Sequence, residues 1–157
     1  MEMLQRVTNT VLQKDGKVLL LQKPRRHWWV APGGKMELGE SIIESAIREY
    51  REETGLHIID PQLKAVFTMV MMNENQVVRE WMMFTFHATD YTGQLLSESP
   101  EGKLAWKQQE EIHHLMMAEG DKYMFEHVLQ YKGLLYGTFY YTEDFELISY
   151  RLNPAQS

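Results

Sequence analysis

Residues 33–56, GGKMELGESIIESAIREYREETGL, constrain the chain more than any other stretch: a pair of glycines leads into a carboxylate-rich helix that a further glycine stops. Ser41 and Glu44 have the S-x-x-E spacing of a capping box, in which the serine side chain takes a free backbone N–H and the glutamate reaches back. The spacing predicts a helix from Ile42 to Thr54, because Gly55 suits the left-handed residue just past a helix end, where a Cβ is penalised. At about 100° per residue, Ile42, Ile43, Ala46, Ile47 and Tyr50 fall on one arc, the expected buried face, while Glu44, Arg48 and Arg51 turn to solvent. Glu49, Glu52 and Glu53 stand at i, i+3 and i+4 and gather on the adjoining arc.

Three carboxylates so close repel one another unless a counter-charge joins them. A plain solvated acidic face is one reading. A bound divalent cation is the other, and oxygen-rich sites of this kind suit Mg²⁺ or Mn²⁺, which keep several waters and bind substrate phosphates beside one or two carboxylates. The chain has no cysteine, which excludes disulfides, thiolate metal sites and a cysteine nucleophile together.

Gly34, Glu40, Arg48, Glu49, Glu52, Glu53 and Gly55 fit G-x5-E-x7-R-E-U-x-E-E-x-G-U. This segment resembles the signature of the Nudix hydrolases, with Pro32 and Gly33 in front as that family often has them. The one departure is Tyr50, where the family usually carries an aliphatic residue. It falls on the buried arc, so it alters packing without removing a ligand.

With 157 residues, 44% of them apolar and 11% aromatic, the chain is long enough for one ordinary domain with a real core. A single domain spanning 1–157 is expected. No window approaches the roughly eighteen apolar residues of a membrane span, and the first six residues lack a signal-peptide layout, so a soluble cytoplasmic protein is expected. Sixteen basic and 22 acidic residues give a net charge of −6, which argues against duplex nucleic acid as a partner. A small phosphorylated substrate stays open, since metal ions and a few local cations reverse the field inside one cleft.

Along the chain, 4–13 and 18–22 read as a hairpin around a D-G turn, and 63–72 and 77–88 as a second antiparallel pair joined by Asn73-Glu74-Asn75-Gln76. The methionines of that pair (Met69, Met71, Met72, Met82, Met83) are adaptable core, some of them suited to lining a pocket for a flat base. Between the first hairpin and the glycine turn lies the most basic segment, Lys23-Pro24-Arg25-Arg26-His27-Trp28-Trp29, a loop broken by its proline. Its cations serve solubility or, by position, lie against phosphate oxygens. Lys23, Arg25, Arg26 and, from the turn itself, Lys35 are therefore candidate substrate contacts. Trp29 is expected to pack beneath the turn.

Residues 89–103 read as a loop, 109–115 as a short helix, and 121–132 as a longer one with Asp121 as its N-cap. His113 and His114 lack metal-ligand spacing and are expected at the surface. Two aromatic β-runs, 134–141 and 145–151, close the chain as a C-terminal hairpin (about 134–152) that either completes the sheet or offers an edge to a second subunit in a homodimer.

Strand pairs around one central helix and a later one read as α+β. The resemblance implies the Nudix fold, an α/β/α sandwich with a mixed β-sheet and a catalytic loop-helix-loop. It also implies metal-dependent hydrolysis of a nucleoside diphosphate linked to another group, by attack of water on a pyrophosphate phosphorus. Glu49, Glu52, Glu53 and the backbone at Gly34 are the implied metal site. Relatives that resemble residues 89–103 complete it with a glutamate five residues before a strand tryptophan, which favours Glu101 over Glu98 here. Glu53, at the edge of the buried arc, is the candidate base or water-orienting ligand, with Glu52 as its rival, and Arg48 orients a carboxylate, Glu40 or Glu49. In similar nucleotide hydrolases an acidic residue near Asp121 reads the base. Outside the box the chain looks like the alarmone hydrolase branch of Bacillus-type bacteria. That likeness implies (p)ppGpp as the first substrate, then 8-oxo-dGTP, then RNA 5′ ends, with a non-catalytic nucleotide-binding regulator as the alternative class.

Overall fold

The computed structural model describes residues 4–155. Strands β1 (Gln5–Lys14) and β2 (Lys17–Gln22) meet at Asp15-Gly16, both with positive φ (53° and 77°), the two-residue turn whose twist matches a hairpin. They share only the pairs Gln13↔Val18 and Lys14↔Lys17 before diverging. Strands β6 (Gln62–Asn73) and β7 (Gln76–Ala88) form the second expected pair, turning at Glu74-Asn75. β7 runs parallel to β1, and β6 runs parallel to β10 (Leu135–Thr142), the first strand of the aromatic pair; β11 (Leu147–Asn153) is the outer one.

Four short strands escape the periodicity of the sequence. β3 (Trp29–Val30) pairs with β2, and β4 (Gly33–Lys35) pairs with β1. β5 (Leu56–Ile58) and β8 (Tyr91–Gly93) form a separate two-stranded sheet, so residues 89–103 are not all loop. With β9 (Lys103–Gln108) beside β2, the main sheet has nine strands among the described residues, in the order β11-β10-β6-β7-β1-β2-β3, with β4 on β1. Runs of two or three residues are too short to show an alternating pattern.

Successive side chains on a strand face opposite ways, and the sheet uses both faces. Val11, Val18 and Leu20 join Phe67, Met124, Phe125 and Phe139 in one core, under helix α2 (Glu119–Gln130). Leu12 and Leu19 join Tyr50, Leu56 and Ile58 in the other, under helix α1 (Ile42–Thr54). The layers are those of the Nudix sandwich: helix, mixed sheet, helix.

Three expectations need correction. Ile43 is exposed: it shares a face with Tyr50 but stands about two turns nearer the helix start, and the core under α1 takes in Ile47 but not Ile43. Arg48 is half-buried, not solvated, because residues 37–40 fold back over its side of the helix. Asp121 is not an N-cap; α2 starts two residues earlier with Ala118 as cap, and Asp121 lies in its first turn. His113 and His114 are exposed, as expected.

Candidate active site

The site grows from the two glycines. β4 pairs with β1 through Asn9↔Gly33 and Thr8↔Gly34. A Cβ on Gly33 would run into the Thr8 carbonyl oxygen, and one on Gly34 would occupy the place of the Glu49 carboxylate. At Gly33, where the obstacle is backbone, only glycine allows this approach. The helix that follows is capped as its spacing requires: Ser41 Oγ accepts from the Glu44 N–H at 3.2 Å, Glu44 Oε1 accepts from the Ser41 N–H at 2.8 Å, and Gly55 closes it at φ 83°. Thr8 Oγ1 and Ser45 Oγ, 3.0 Å apart, tie helix to strand where small side chains permit contact.

Arg48 is the centre of the charge network. Its Nε and Nη2 donate to both oxygens of Glu40 (2.6 and 2.9 Å), Nη1 donates to Glu49 (3.0 Å) and Glu52 (3.2 Å), and Nη2 also reaches the Lys35 carbonyl (3.1 Å). The bidentate hydrogen bond from Arg48 holds Glu40 down at about 2. Burial dominates at Glu49 and pushes its carboxyl upward despite the same guanidinium. Glu52 is the most exposed of the helix glutamates in this network.

Glu53 is different. Its side chain is buried, 5% exposed; Oε1 lies 3.4 Å from the Gly33 N–H and Oε2 has no hydrogen-bond partner. Burial raises its pKa from 4.5 to about 7, against the pull of Lys23 and the Gly33 amide, with Glu101 and Glu49 adding repulsion. One turn away, the fully buried Tyr50 hydroxyl also has no partner. Lys23 Nζ stands 3.7 Å from Glu101, so the basic loop and residue 101 meet beside Glu53 although 78 positions separate them (101 − 23).

Beside this cluster opens a cavity of about 380 Å³. Lys23, Arg25, Arg26 and Asp121, four of the five candidate substrate contacts, line it; Lys35 does not, its side chain being exposed on β4. The apolar part of the lining includes Trp28, Trp81, Met69, Met83 and Phe145. Only the two methionines were foreseeable as pocket lining, since the aromatic residues come from segments with no local signal that they converge. Burial raises the Asp121 carboxyl from 3.8 to about 7. Arg26 is tied down: its guanidinium lies over the rings of Trp28 (5.2 Å) and Phe145 (5.3 Å) and Nη1 donates to the Asp144 carbonyl at 3.0 Å. Trp29 is buried in the core under α2, with Lys107 over its ring.

A family model for the NUDIX domain matches residues 3–128. The chain belongs to the NUDIX family. Among relatives, it is 62% identical over 154 residues to the uncharacterised Nudix hydrolase YvcI of Bacillus subtilis, covering 98% of both chains. It is 31% identical over 129 residues to a human 8-oxo-dGDP phosphatase, across 77% of this chain and 37% of the human protein. The crystal structure of a MutT mutator protein from Bacillus halodurans superposes with a TM-score of 0.95 at 59% identity, covering 98% of this chain and all of that one. As a Nudix hydrolase the protein acts on derivatives of nucleoside diphosphates.

Nudix hydrolases generally use divalent metal ions, and the donors present fit one. All are oxygens: Glu49, Glu52, Glu53, Glu101 and the backbone at Gly34. The unpartnered Oε2 of Glu53, buried among carboxylates, is the atom a cation would satisfy, and the missing Cβ of Gly34 leaves the space that Glu49 fills. Among the described residues no three acidic or histidine side chains converge as a ready-made metal cluster. Arg48 Nη1 pairs with both Glu49 and Glu52 and is their counter-charge.

Proposed function

We propose that the protein hydrolyses the 5′ phosphoanhydride of guanosine polyphosphates in the cytoplasm, (p)ppGpp first, giving pGpp with orthophosphate from ppGpp or pyrophosphate from pppGpp. The observation that carries this reading is Lys23, which lines the aromatic cavity and at the same time pairs with Glu101 beside Glu53. On this reading the cavity takes the base and the neighbouring carboxylates face the phosphates. A Mg²⁺ or Mn²⁺ ion bound by Glu49, Glu52, Glu53, Glu101 and the Gly34 backbone would neutralise the bridging phosphates and lower the pKa of a bound water.

The chain's own groups do the rest. Glu53, buried and with Oε2 unpartnered, takes the water's proton or orients it. Arg48 keeps Glu49 and Glu52 in place. Ionised Asp121 accepts from the N1–H and the amino group of guanine, both of which are donors. Arg25 and Lys23 meet phosphates beyond those at the carboxylates, and a 3′ diphosphate is where an alarmone has more of them than GTP does. Arg26, already stacked, contributes its charge from a fixed place.

A second reading, 8-oxo-dGTP diphosphatase, is favoured by the same Asp121 and by the relative described as an 8-oxo-dGDP phosphatase. Incubation with Mg²⁺ and a nucleotide panel separates the two. Orthophosphate from ppGpp supports the first; pyrophosphate from 8-oxo-dGTP with ppGpp untouched supports the second. No turnover of any anhydride would make the protein a nucleotide-binding regulator. The outer strand β11 leaves one sheet edge open, the surface that a second copy would use in a homodimer.

A further inference from the structure

The family match ends at residue 128, yet two residues lining the cavity, Tyr141 and Phe145, belong to the terminal hairpin beyond it. Phe145 sits at the tip with φ 61°, a conformation that glycine or asparagine adopts at little cost and a bulky side chain rarely does. The tip is locked from within: the Phe145 N–H donates to the Thr142 carbonyl (2.9 Å), and Thr142 Oγ1 accepts from the amides of Asp144 (3.3 Å) and Glu146 (3.1 Å). The result is a phenyl ring aimed at the cavity, 5.9 Å from Trp28 edge-on, 6.4 Å from Trp81 and 6.0 Å from Tyr141. The facing loop holds two more non-glycine residues at positive φ, Arg26 (68°) and His27 (56°), and Arg26 is the residue that bonds the tip. Strain of this sort persists only where the surroundings over-determine it. Here two strained tips brace each other across one cavity.

We propose that this hairpin tip is the base-side wall of the nucleotide pocket, with Phe145 as a specificity-determining residue that packs against the purine and holds Trp28 and Arg26 in position. The inference rests on the reading of the cavity as a nucleotide site and adds an element from outside the matched family segment. Binding of Mg²⁺-pyrophosphate at the carboxylate end does not depend on it, since Lys23, Glu101 and the helix glutamates lie on other elements.

The test compares equilibrium binding of GMP with that of Mg²⁺-pyrophosphate, by calorimetry, for the wild type, Phe145→Leu and Phe145→Tyr. Leucine keeps the apolar bulk and loses the ring; tyrosine keeps the ring. Loss of one base-stacking ring changes affinity on the order of tenfold, so Phe145→Leu is expected to weaken GMP by that factor and leave pyrophosphate unchanged, with Phe145→Tyr restoring GMP binding. Melting temperature verifies folding in each case. Unchanged GMP affinity in Phe145→Leu, or an equal loss for GMP and pyrophosphate, overturns the proposal. So does a wild type that binds pyrophosphate but not GMP. GMP has no anhydride to cleave, so a wild type that binds it without hydrolysing any nucleotide would cancel the hydrolase reading alone.

Discussion

At the residue scale the informative group is Glu53, whose carboxyl is held near 7 by burial while an unfolded chain would titrate it near 4.5. Between those values the folded protein keeps a proton that the unfolded chain has released. Its contribution to stability is therefore full below about pH 4.5 and falls as pH rises through 7, by at most about 3 kcal/mol. Glu53→Gln cannot ionise and escapes that loss. In chelator, the variant should melt above the wild type at pH 8 and converge with it near pH 5; coincident melting curves at every pH would mean that the carboxylate is well solvated. With Mg²⁺ the same variant should lose at least about a hundredfold in kcat, the scale of one general base. Asp121 offers a second pH signature. Burial raises its carboxyl to about 7, so affinity for guanosine, which has no phosphate to titrate, should rise from pH 6 to pH 8 in the wild type and stay flat in Asp121→Asn. A rise that survives the substitution would assign the titration to another group.

At the scale of elements, the loop-helix-loop separates what is local from what is not. The capping box, the left-handed Gly55 and the Asp15-Gly16 and Glu74-Asn75 turns were legible because each is fixed by residues within four positions of one another. The Arg48 network was not fully legible, since a helical wheel cannot show that residues 37–40 fold back over the solvent face. The same holds for the cavity, which five separate segments line. The two adjacent glycines give a sharp test of this element. Gly33→Ala sets a Cβ against the Thr8 carbonyl and 2.6 Å from the Asn9 Cα, backbone that cannot give way without parting β4 from β1. It should cost about 3 kcal/mol or more in denaturant unfolding. Gly34→Ala first meets the carboxylate end of the Glu49 side chain, which can rotate away where backbone cannot. It should fold within about 1 kcal/mol of the wild type yet bind Mg²⁺ at least about tenfold more weakly. Equal stability losses in the two would show that the turn is merely tight and not divided between fold and carboxylate.

At the scale of the whole molecule, the aromatic pair at the end of the chain was visible as a hairpin, but its partner was not: β10 lies parallel to β6 through Leu135↔Ala65 to Thr142↔Met72, a pairing across 70 residues (135 − 65) that no local pattern announces. The depth of its attachment argues that it is core and not an appendage to the 3–128 segment. Leu135, Phe139 and Tyr141 are 0–1% exposed, Phe139 meets Phe67 edge-on at 5.2 Å, and the Tyr141 hydroxyl accepts the Gly120 N–H of α2 at 2.8 Å. Removing β10 would bare the full edge of β6 and leave Phe67, Met69 and Phe125 without one wall of their core. Burial of a phenyl side chain here is worth about 3–5 kcal/mol against alanine, a large part of the about 5–15 kcal/mol that stabilises an ordinary domain. Phe139→Ala should therefore unfold cooperatively at a lower denaturant midpoint, while a chain ending at residue 133 loses three such anchors at once and should show no cooperative transition, with strong binding of a hydrophobic dye. If the shortened chain instead melts as sharply as the wild type, the family segment is self-sufficient and the hairpin's part is confined to the wall of the pocket.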